Sequence, residues 1–114
     1  SIGDFSVARA GWIGDYVDPK SFLDMMVTGR GNNQTGWSSN QYDSLLLKGA
    51  NSSSQEERFS FFDEAEHILM DELPVLPIYT YTRIYMLHPD VQGWDSNLLD
   101  NHPYQYLSIR KNIK

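Results

Sequence analysis

Apolar residues recur at helical spacing in three stretches of the chain, 19–28, 41–49 and 53–73. In each stretch the apolar positions lie three or four residues apart, and this periodicity predicts three amphipathic helices. We expect the chain to bury surface along these faces. The predicted apolar faces consist of Phe22, Leu23, Met26 and Val27; of Tyr42, Leu45 and Leu46; and of Phe62, Ala65, Ile68, Leu69 and Leu73.

Residues suited to helix ends flank the three stretches. Asp18 followed by Pro19 is typical of an N-cap and a proline at the first helical position. Asn40 is the predicted cap of the second helix, and Gly49 is its predicted end. The third helix is expected to begin at the serines of 53–54, because each has a glutamate three residues later.

Segments rich in β-branched and aromatic residues lie outside the predicted helices. Residues 4–10 predict a short strand, 75–87 predict a buried strand, and 104–109 predict a final strand. Residues 29–40 are rich in Gly, Asn and Ser and predict a loop. The expected class is therefore α/β, with three helices and about three strands. So few strands indicate a piece of a larger α/β protein.

Length and composition limit the classes of protein to consider. The chain has 114 residues, the size of one domain, and a formal charge of −6 with its basic residues scattered, so no nucleic-acid partner is expected. The absence of cysteine excludes disulfides, thiolate metal sites and cysteine nucleophiles. No apolar run approaches the roughly 18 residues that cross a bilayer, and no signal-peptide pattern begins the chain. We expect neither a membrane-spanning chain nor an unprocessed precursor.

Candidate catalytic groups are few. The sequence contains no nucleophile elbow, zinc-binding helix or phosphate-binding loop of the known patterns. Glu64, His67 and Asp71 share one helical face, but a carboxylate-bridged metal centre needs a second such helix, so a solvated polar face is the favoured interpretation. Asp15 and Asp18 form a candidate carboxylate pair, although helix capping already explains Asp18. No cofactor and no metal are expected, and Asp15 is left as a lone carboxylate.

Four blocks of sequence occur in an order that resembles a known family. The blocks are ARAGWIGDYVDPKSFLDMM, GWSSNQYDSLL, EERFSFFDEAEHILMDELPVLPIYTYT and VQGW. Their order and spacing are similar to the C-terminal part of the oligopeptide- and dipeptide-binding proteins of ABC importers, which are extracytoplasmic solute-binding proteins of the peptide/nickel-binding family. The resemblance covers residues 4–110.

The resemblance implies one part of a two-lobed periplasmic-binding-protein-like fold of type II, in which the ligand is enclosed between two α/β lobes. Residues 1–78 would form part of the distal ligand-binding lobe, and residues 79–114 would cross the hinge and return to the other lobe. Most of the sheet of each lobe would come from sequence outside this chain. The chain is therefore expected either to be a fragment or to bury its exposed surfaces by self-association.

The resemblance also implies which residues contact a ligand. Asp15 matches a carboxylate that pairs with the free α-amino group of a peptide, and a charge-assisted hydrogen bond of this kind is stronger than a neutral one. Gly11, Trp12 and Ile13 match an extended segment whose backbone hydrogen-bonds the peptide main chain without regard to sequence. Trp12 would also form the wall of a side-chain pocket, and Ile13 would add an apolar surface.

Four further residues match positions around the cleft between the lobes. Arg9 matches a position that pairs with a ligand carboxylate or a neighbouring acid, and Tyr81 matches a tyrosine that faces the cleft. Asn32 and Trp37 lie in a loop that lines side-chain pockets in some family members.

The implied function is non-enzymatic. The parent protein would capture short peptides outside the cytoplasmic membrane, as a periplasmic or lipid-anchored protein, and deliver them to a membrane permease. Its partners would be the peptide, the permease and the remaining N-terminal part of the protein. Two alternatives stay open: a family member that binds a non-peptide solute, and an interaction module in which Trp12, Trp37 and Trp94 form a partner surface. A metalloenzyme using Glu64 and His67 is a third.

Overall fold

The computed structural model describes residues 4–110 of the chain. These residues divide into two compact units, and the division falls between Ile78 and Tyr79. The helices of residues 4–110 include none with both the length and the apolar character needed to span a bilayer.

The first unit is helical. Its elements are α1 (Lys20–Leu23), which continues as the 3₁₀ turn Asp24–Met26, α2 (Asn40–Asn51) and α3 (Gln55–Glu72). The three predicted helices are therefore confirmed, although α1 with its 3₁₀ turn is shorter than the predicted stretch 19–28. Their apolar faces enclose one core, formed by Leu23, Met26, Tyr42, Leu45, Leu46, Phe62, Ala65 and Leu69.

Tyr42 lies at the centre of this core and is fully buried. Its hydroxyl donates a hydrogen bond of 2.6 Å to the carbonyl oxygen of Leu23, at the end of α1. Burial raises the pKa of Tyr42, so the ring stays neutral and its one polar atom is satisfied inside the core. The hydrogen bond therefore links α2 to the short helix α1.

The start of α2 differs from the sequence prediction by one residue. Ser39 is the N-cap: its backbone is extended, and its hydroxyl accepts a hydrogen bond of 3.3 Å from the backbone N–H of Tyr42. The prediction of Asn40 as the cap is wrong, because Asn40 is already helical. The predicted end at Gly49 is also wrong, since α2 continues to Asn51.

Gly49 has a packing role instead. It is buried, and a Cβ atom at this position would lie 2.4 Å from Cε1 of Phe62 on α3. No side chain fits in that space. The absence of a side chain at Gly49 therefore allows α2 and α3 to approach closely enough for the Phe62 ring to fill the contact.

Paired serine and glutamate side chains organise the start of α3. The Ser54 hydroxyl accepts a hydrogen bond of 3.3 Å from the backbone N–H of Glu57, as the capping pattern predicts. The Ser52 hydroxyl donates to Glu57 Oε2 at 2.7 Å and accepts from the Ser54 backbone N–H at 3.2 Å. At the other end, Leu73 adopts a left-handed conformation (φ 48°) and its N–H bonds the Leu69 carbonyl oxygen.

An ion pair joins the start of α1 to α3. Arg58 Nη2 lies 2.6 Å and 2.7 Å from the two carboxylate oxygens of Asp18, and the Arg58 guanidinium lies 4.6 Å from the centroid of the Phe62 ring. Asp18 Oδ1 also accepts a hydrogen bond of 2.9 Å from the backbone N–H of Lys20, the first residue of α1. The N-cap of α1 is Pro19, so the prediction of Asp18 as the cap and Pro19 as the first helical residue is wrong by one position. The hydrogen bond from Arg58 holds the pKa of Asp18 below its ordinary value.

Two predicted strands are absent from the described residues. Residues 4–10 and 75–87 form no strand, and the prediction of a buried strand is wrong because Ile84 is 93% and Met86 99% exposed. A strand needs a neighbour to satisfy its backbone hydrogen bonds. Within residues 4–110, only β1 and β2 of the second unit pair.

The second unit contains a short antiparallel pair, β1 (Val91–Gln92) and β2 (Ser108–Ile109). The predicted final strand at 104–109 is therefore only partly confirmed, because its first half is the 3₁₀ turn Tyr104–Tyr106. Gly93 follows β1 with φ 84°, and a Cβ atom there would lie 2.1 Å from the Tyr106 carbonyl oxygen. This close approach requires glycine.

A stacked cluster organises the rest of the second unit. The Trp94 ring stacks on His102, with centroids 3.8 Å apart. His102 Nε2 lies 2.9 Å from Asp100 Oδ1, and Arg83 Nε lies 3.1 Å from Asp100 Oδ2. Tyr85 contacts the Trp94 ring at 5.2 Å between centroids. This unit is therefore packed by contacts between aromatic and charged side chains.

We predict that Gly49→Ala destabilises the helical unit by about 1–3 kcal/mol, because the added methyl group overlaps the Phe62 ring. Urea unfolding of the chain, followed by circular dichroism, measures the free energy of unfolding. Gly31→Ala is the matched control, since a Cβ atom there meets no atom within 4 Å. Equal stability of the two variants would contradict the close packing of α2 on α3.

We also predict that the Asp18–Arg58 ion pair makes the stability of this unit depend on pH. The pKa of Asp18 is lowered by folding, so the stabilisation is complete above its ordinary value of 3.8 and is lost as the pH falls through the folded-state pKa. Asp18→Asn should therefore cost about 1 kcal/mol at neutral pH and progressively less in acid.

The control for this titration is Glu64→Gln, which removes the same charge from an exposed side chain of α3 that has no partner within residues 4–110. Its stability should match that of the unaltered chain at every pH. A deficit of Asp18→Asn that stays constant from neutral to acidic pH would show that the carboxylate charge is not responsible.

Candidate functional site

The candidate site lies on the segment 11–15, which leads into α1. The backbone N–H of Asp15 donates a hydrogen bond of 2.7 Å to the hydroxyl of Ser21, a buried residue of α1. Gly14 lies against α1 as well, because a Cβ atom there would be 3.0 Å from the Phe22 ring and 3.4 Å from Ser21 Oγ. The backbone of the segment is therefore held against α1 at Gly14 and Asp15.

Asp15 and Asp18 differ in what their carboxylates contact. Asp18 is engaged by Arg58 and by the backbone of Lys20. Asp15 is exposed, and no hydrogen bond or ion pair engages its carboxylate within residues 4–110. Of the two carboxylates, only that of Asp18 forms contacts among residues 4–110, and that of Asp15 is exposed.

Gly11, Trp12 and Ile13 precede Asp15 without regular secondary structure. Their peptide groups make no hydrogen bond within residues 4–110. Ile13 is 58% exposed, whereas Trp12 is half-buried and its Nε1 atom is buried without a described acceptor. The segment therefore combines unpaired peptide groups with one exposed apolar side chain.

Three other predicted site residues lie elsewhere. Arg9 is exposed and has a partner within the protein. Asn32 is exposed in a turn of the loop after α1. Tyr81 belongs to the second unit, is 53% exposed and contacts the edge of Tyr79 at 4.7 Å between ring centroids. The first unit thus brings together the contiguous group from Gly11 to Asp15, and the roles of these three residues stay predictions.

Trp37 is anchored to the helical core. Its Nε1 donates a hydrogen bond of 2.7 Å to Glu72 Oε2, and its ring meets Tyr42 edge-on at 5.1 Å. These contacts fix the loop between α1 and α2, and they give Trp37 a structural role beside its predicted one of lining a pocket.

Asn33 is the residue that organises this loop, and sequence analysis did not single it out for that role. Its Nδ2 donates to the carbonyl oxygens of Met26 at 3.1 Å and Trp37 at 2.9 Å, and its Oδ1 accepts from the Thr35 hydroxyl at 2.8 Å. The signal in the sequence is the Asn-x-Thr spacing, which favours side-chain to backbone turns.

The acidic face of α3 carries Glu64, His67 and Asp71, all of which are exposed. His67 is 73% exposed, and its Nδ1 lies 2.8 Å from the Asp63 carbonyl oxygen, which raises the pKa of the imidazole. Within residues 4–110, no group of three or more His, Asp and Glu side chains is arranged to hold a metal ion. The face carrying Glu64, His67 and Asp71 is a solvated polar surface.

Comparison with known proteins identifies relatives over most of the chain, although no family model matches it. It is 32% identical over 106 residues to the dipeptide-binding protein DppE of Bacillus subtilis (strain 168), covering 93% of this chain and 19% of that protein. It is 33% identical over 97 residues to the periplasmic murein peptide-binding protein MppA of Escherichia coli (strain K12), covering 85% and 18%.

A third relative is named for a different ligand. The probable deoxycholate-binding periplasmic protein YgiS of Escherichia coli (strain K12) is 33% identical over 92 residues, covering 81% of this chain and 17% of that protein.

A solved structure is similar to the fold. The unliganded open form of the periplasmic murein tripeptide-binding protein MppA superposes with a TM-score of 0.64 and 26% identity, covering 86% of this chain and 19% of that one. The chain therefore spans about one fifth of the length of the proteins it matches. It is homologous to the oligopeptide- and dipeptide-binding proteins, the family that its four sequence blocks resemble.

Proposed function

We propose that this chain is the C-terminal part of an extracytoplasmic solute-binding protein that captures short peptides through their free amino group. The observation that carries the proposal is Asp15, an unpaired and exposed carboxylate on a backbone tethered to the helical unit. The relatives DppE and MppA are named for binding dipeptides and murein peptides, which supports the same ligand class here.

The Asp15 carboxylate and a peptide ammonium group would form a charge-assisted hydrogen bond. In open water such a pair contributes only about 0.2–1 kcal/mol, because the solvent screens both charges. Exclusion of water strengthens the pair considerably. An exposed Asp15 therefore needs cover from the rest of the parent protein, as closure of two lobes over a ligand would supply. In this proposal, residues 1–78 belong to the distal lobe, and residues 79–114 form the hinge crossing and the return.

The peptide main chain would bind to the segment that precedes Asp15. The peptide groups of Gly11, Trp12 and Ile13 have no partners within residues 4–110, so they are available for strand-like pairing with a ligand. Such pairing involves only main-chain atoms of the peptide, so it does not depend on the peptide sequence. The exposed Ile13 side chain and the half-buried Trp12 ring would line side-chain space that accepts different residues.

The parent protein would act outside the cytoplasmic membrane, periplasmic or lipid-anchored, and would pass its ligand to an ABC permease. The word periplasmic in the names of its relatives MppA and YgiS supports this location. The relatives DppE, MppA and YgiS are named as binding proteins, and capture of a peptide requires no bond-breaking step. A further partner of this chain would be the N-terminal remainder of the parent protein, which would cover its exposed surfaces. Self-association of the chain is the alternative way to bury them.

A non-peptide solute is the second candidate, and the name of YgiS favours it. Deoxycholate is a steroid carboxylate without an amine, so it would gain nothing from a charged Asp15. The two candidates therefore differ in their need for this carboxylate. The interaction-module alternative loses support, because Trp37 packs on Tyr42 and Trp94 stacks on His102.

We predict that Asp15→Asn in the complete protein weakens binding of a free peptide such as trialanine roughly ten- to hundredfold, the loss expected for one hydrogen bond to a charged group. N-acetylation of the peptide should cause a similar loss in the unaltered protein and little further loss in the variant, because both changes remove the same contact. Isothermal titration calorimetry measures the four affinities.

The matched control is Glu64→Gln, which removes one negative charge from an exposed site on α3 and should leave all affinities unchanged. Equal weakening by acetylation in the unaltered protein and in Asp15→Asn would exclude Asp15 as the amine contact. Binding of deoxycholate, with no binding of trialanine, would favour the second candidate.

A further inference from the structure

We propose that Ser21 is a positioning residue for Asp15: its buried hydroxyl fixes the backbone from which the carboxylate projects. This inference rests on the proposed function, in which Asp15 holds the peptide amine. It adds a residue that touches no ligand and acts through one hydrogen bond.

Burial of Ser21 is the first observation. Ser21 is 3% exposed, and apart from Tyr42 it is the one residue among 4–110 that buries a polar side chain. A buried hydroxyl is unfavourable unless it forms hydrogen bonds. The Ser21 oxygen accepts the Asp15 backbone N–H at 2.7 Å, so its hydrogen bond comes from the segment that carries the carboxylate.

The geometry on both sides of Asp15 reinforces this contact. Gly14 packs directly on the Phe22 ring, so the chain reaches Asp15 along the surface of α1. Three residues later, Asp18 is held by Arg58 of α3, and its N–H bonds the Tyr16 carbonyl oxygen at 2.9 Å. The turn from Asp15 to Asp18 is therefore fixed at its first residue by α1 and at its last by α3.

A fixed backbone matters because binding requires the carboxylate to be ordered. A side chain on a mobile loop loses conformational freedom when it pairs with a ligand, and that loss weakens binding. The Ser21 hydrogen bond removes backbone freedom before the ligand arrives. Loss of the hydroxyl should therefore weaken the part of the affinity that depends on the amine and leave other contacts unchanged.

The test uses the complete protein that contains this chain, with trialanine and N-acetyl-trialanine as probes. The measured quantity is the preference, the ratio of the affinities for the free and the acetylated peptide. Ser21→Ala should lower this preference about three- to tenfold, the range expected for one hydrogen bond. Ser21→Thr keeps a hydroxyl and should restore most of it.

Ser54→Ala is the matched control. It also removes a serine hydroxyl that accepts a backbone N–H in the same unit, but at the start of α3. The control should lower thermal stability and leave the preference unchanged within about twofold, whereas a general effect of destabilisation would move both variants equally. If Asp15→Asn lowers the preference and Ser21→Ala does not, the role of Ser21 is wrong, while the role of Asp15 stands.

A second measurement needs no variant. In the unliganded protein, the Asp15 amide should exchange with solvent deuterium more slowly than the amides of Trp12 and Ile13, which have no acceptor within residues 4–110. Equal exchange of the three amides would overturn the inference. If the unaltered protein shows no preference for the free amine, the proposed function fails first, and the role of Ser21 falls with it.

Discussion

The contact of Arg58 with Asp18 joins the start of α1, which follows the candidate segment 11–15, to the helical core. Helix α1 has only four residues, too few to be stable by its own hydrogen bonds, so its position depends on tertiary contacts. Arg58 supplies one of these contacts: its guanidinium packs over Phe62 and pairs with the carboxylate of Asp18, which also accepts the backbone N–H of Lys20 at the start of α1. The hydroxyl of Tyr42 supplies another from α2. Asp15 is placed by the helix that these two contacts hold.

The helices were predictable from sequence because their signals are local. The apolar periodicity of α3 is contained in its 18 residues, and its cap, Ser54, is the residue directly before them. The cap of α2 was misplaced by one residue because Ser39 and Asn40 are equally good caps on propensity. In the structure the Ser39 hydroxyl accepts the Tyr42 N–H and is the cap. Gly49 lies inside α2, which continues to Asn51, and its contact with Phe62 of α3 is one that the local sequence does not show.

The strands and the contacts within the candidate site were less predictable, because they depend on partners distant in sequence. Residues 75–87 have strand composition, yet composition does not supply a neighbouring strand. Asp15 was assigned a ligand contact through family resemblance, and the local sequence separated it from Asp18 only through the expected helix cap. The ion pair that engages the Asp18 carboxylate depends on Arg58, 40 positions along the chain. Ser21 carries no signal at all, since a serine in a short helix is usually exposed and only the fold shows its burial.

Two features of residues 4–110 have the same physical requirement. Ile84 and Met86 are almost fully exposed, and burial of such side chains stabilises a protein by about 1.5–3 kcal/mol each. The Asp15 carboxylate is exposed too, and an amine bound to it in open water would be held weakly. The apolar side chains and the Asp15 carboxylate would therefore both gain from contact with a surface that excludes water. On the proposed function, the cover over Asp15 arrives with the ligand, because a lobe that closes only on a bound peptide leaves the carboxylate hydrated until then. The hydrogen bond to Ser21 holds the Asp15 backbone before the ligand binds. Closure of the lobes then has the cost of removing water from the carboxylate, but not the cost of ordering the backbone that carries it.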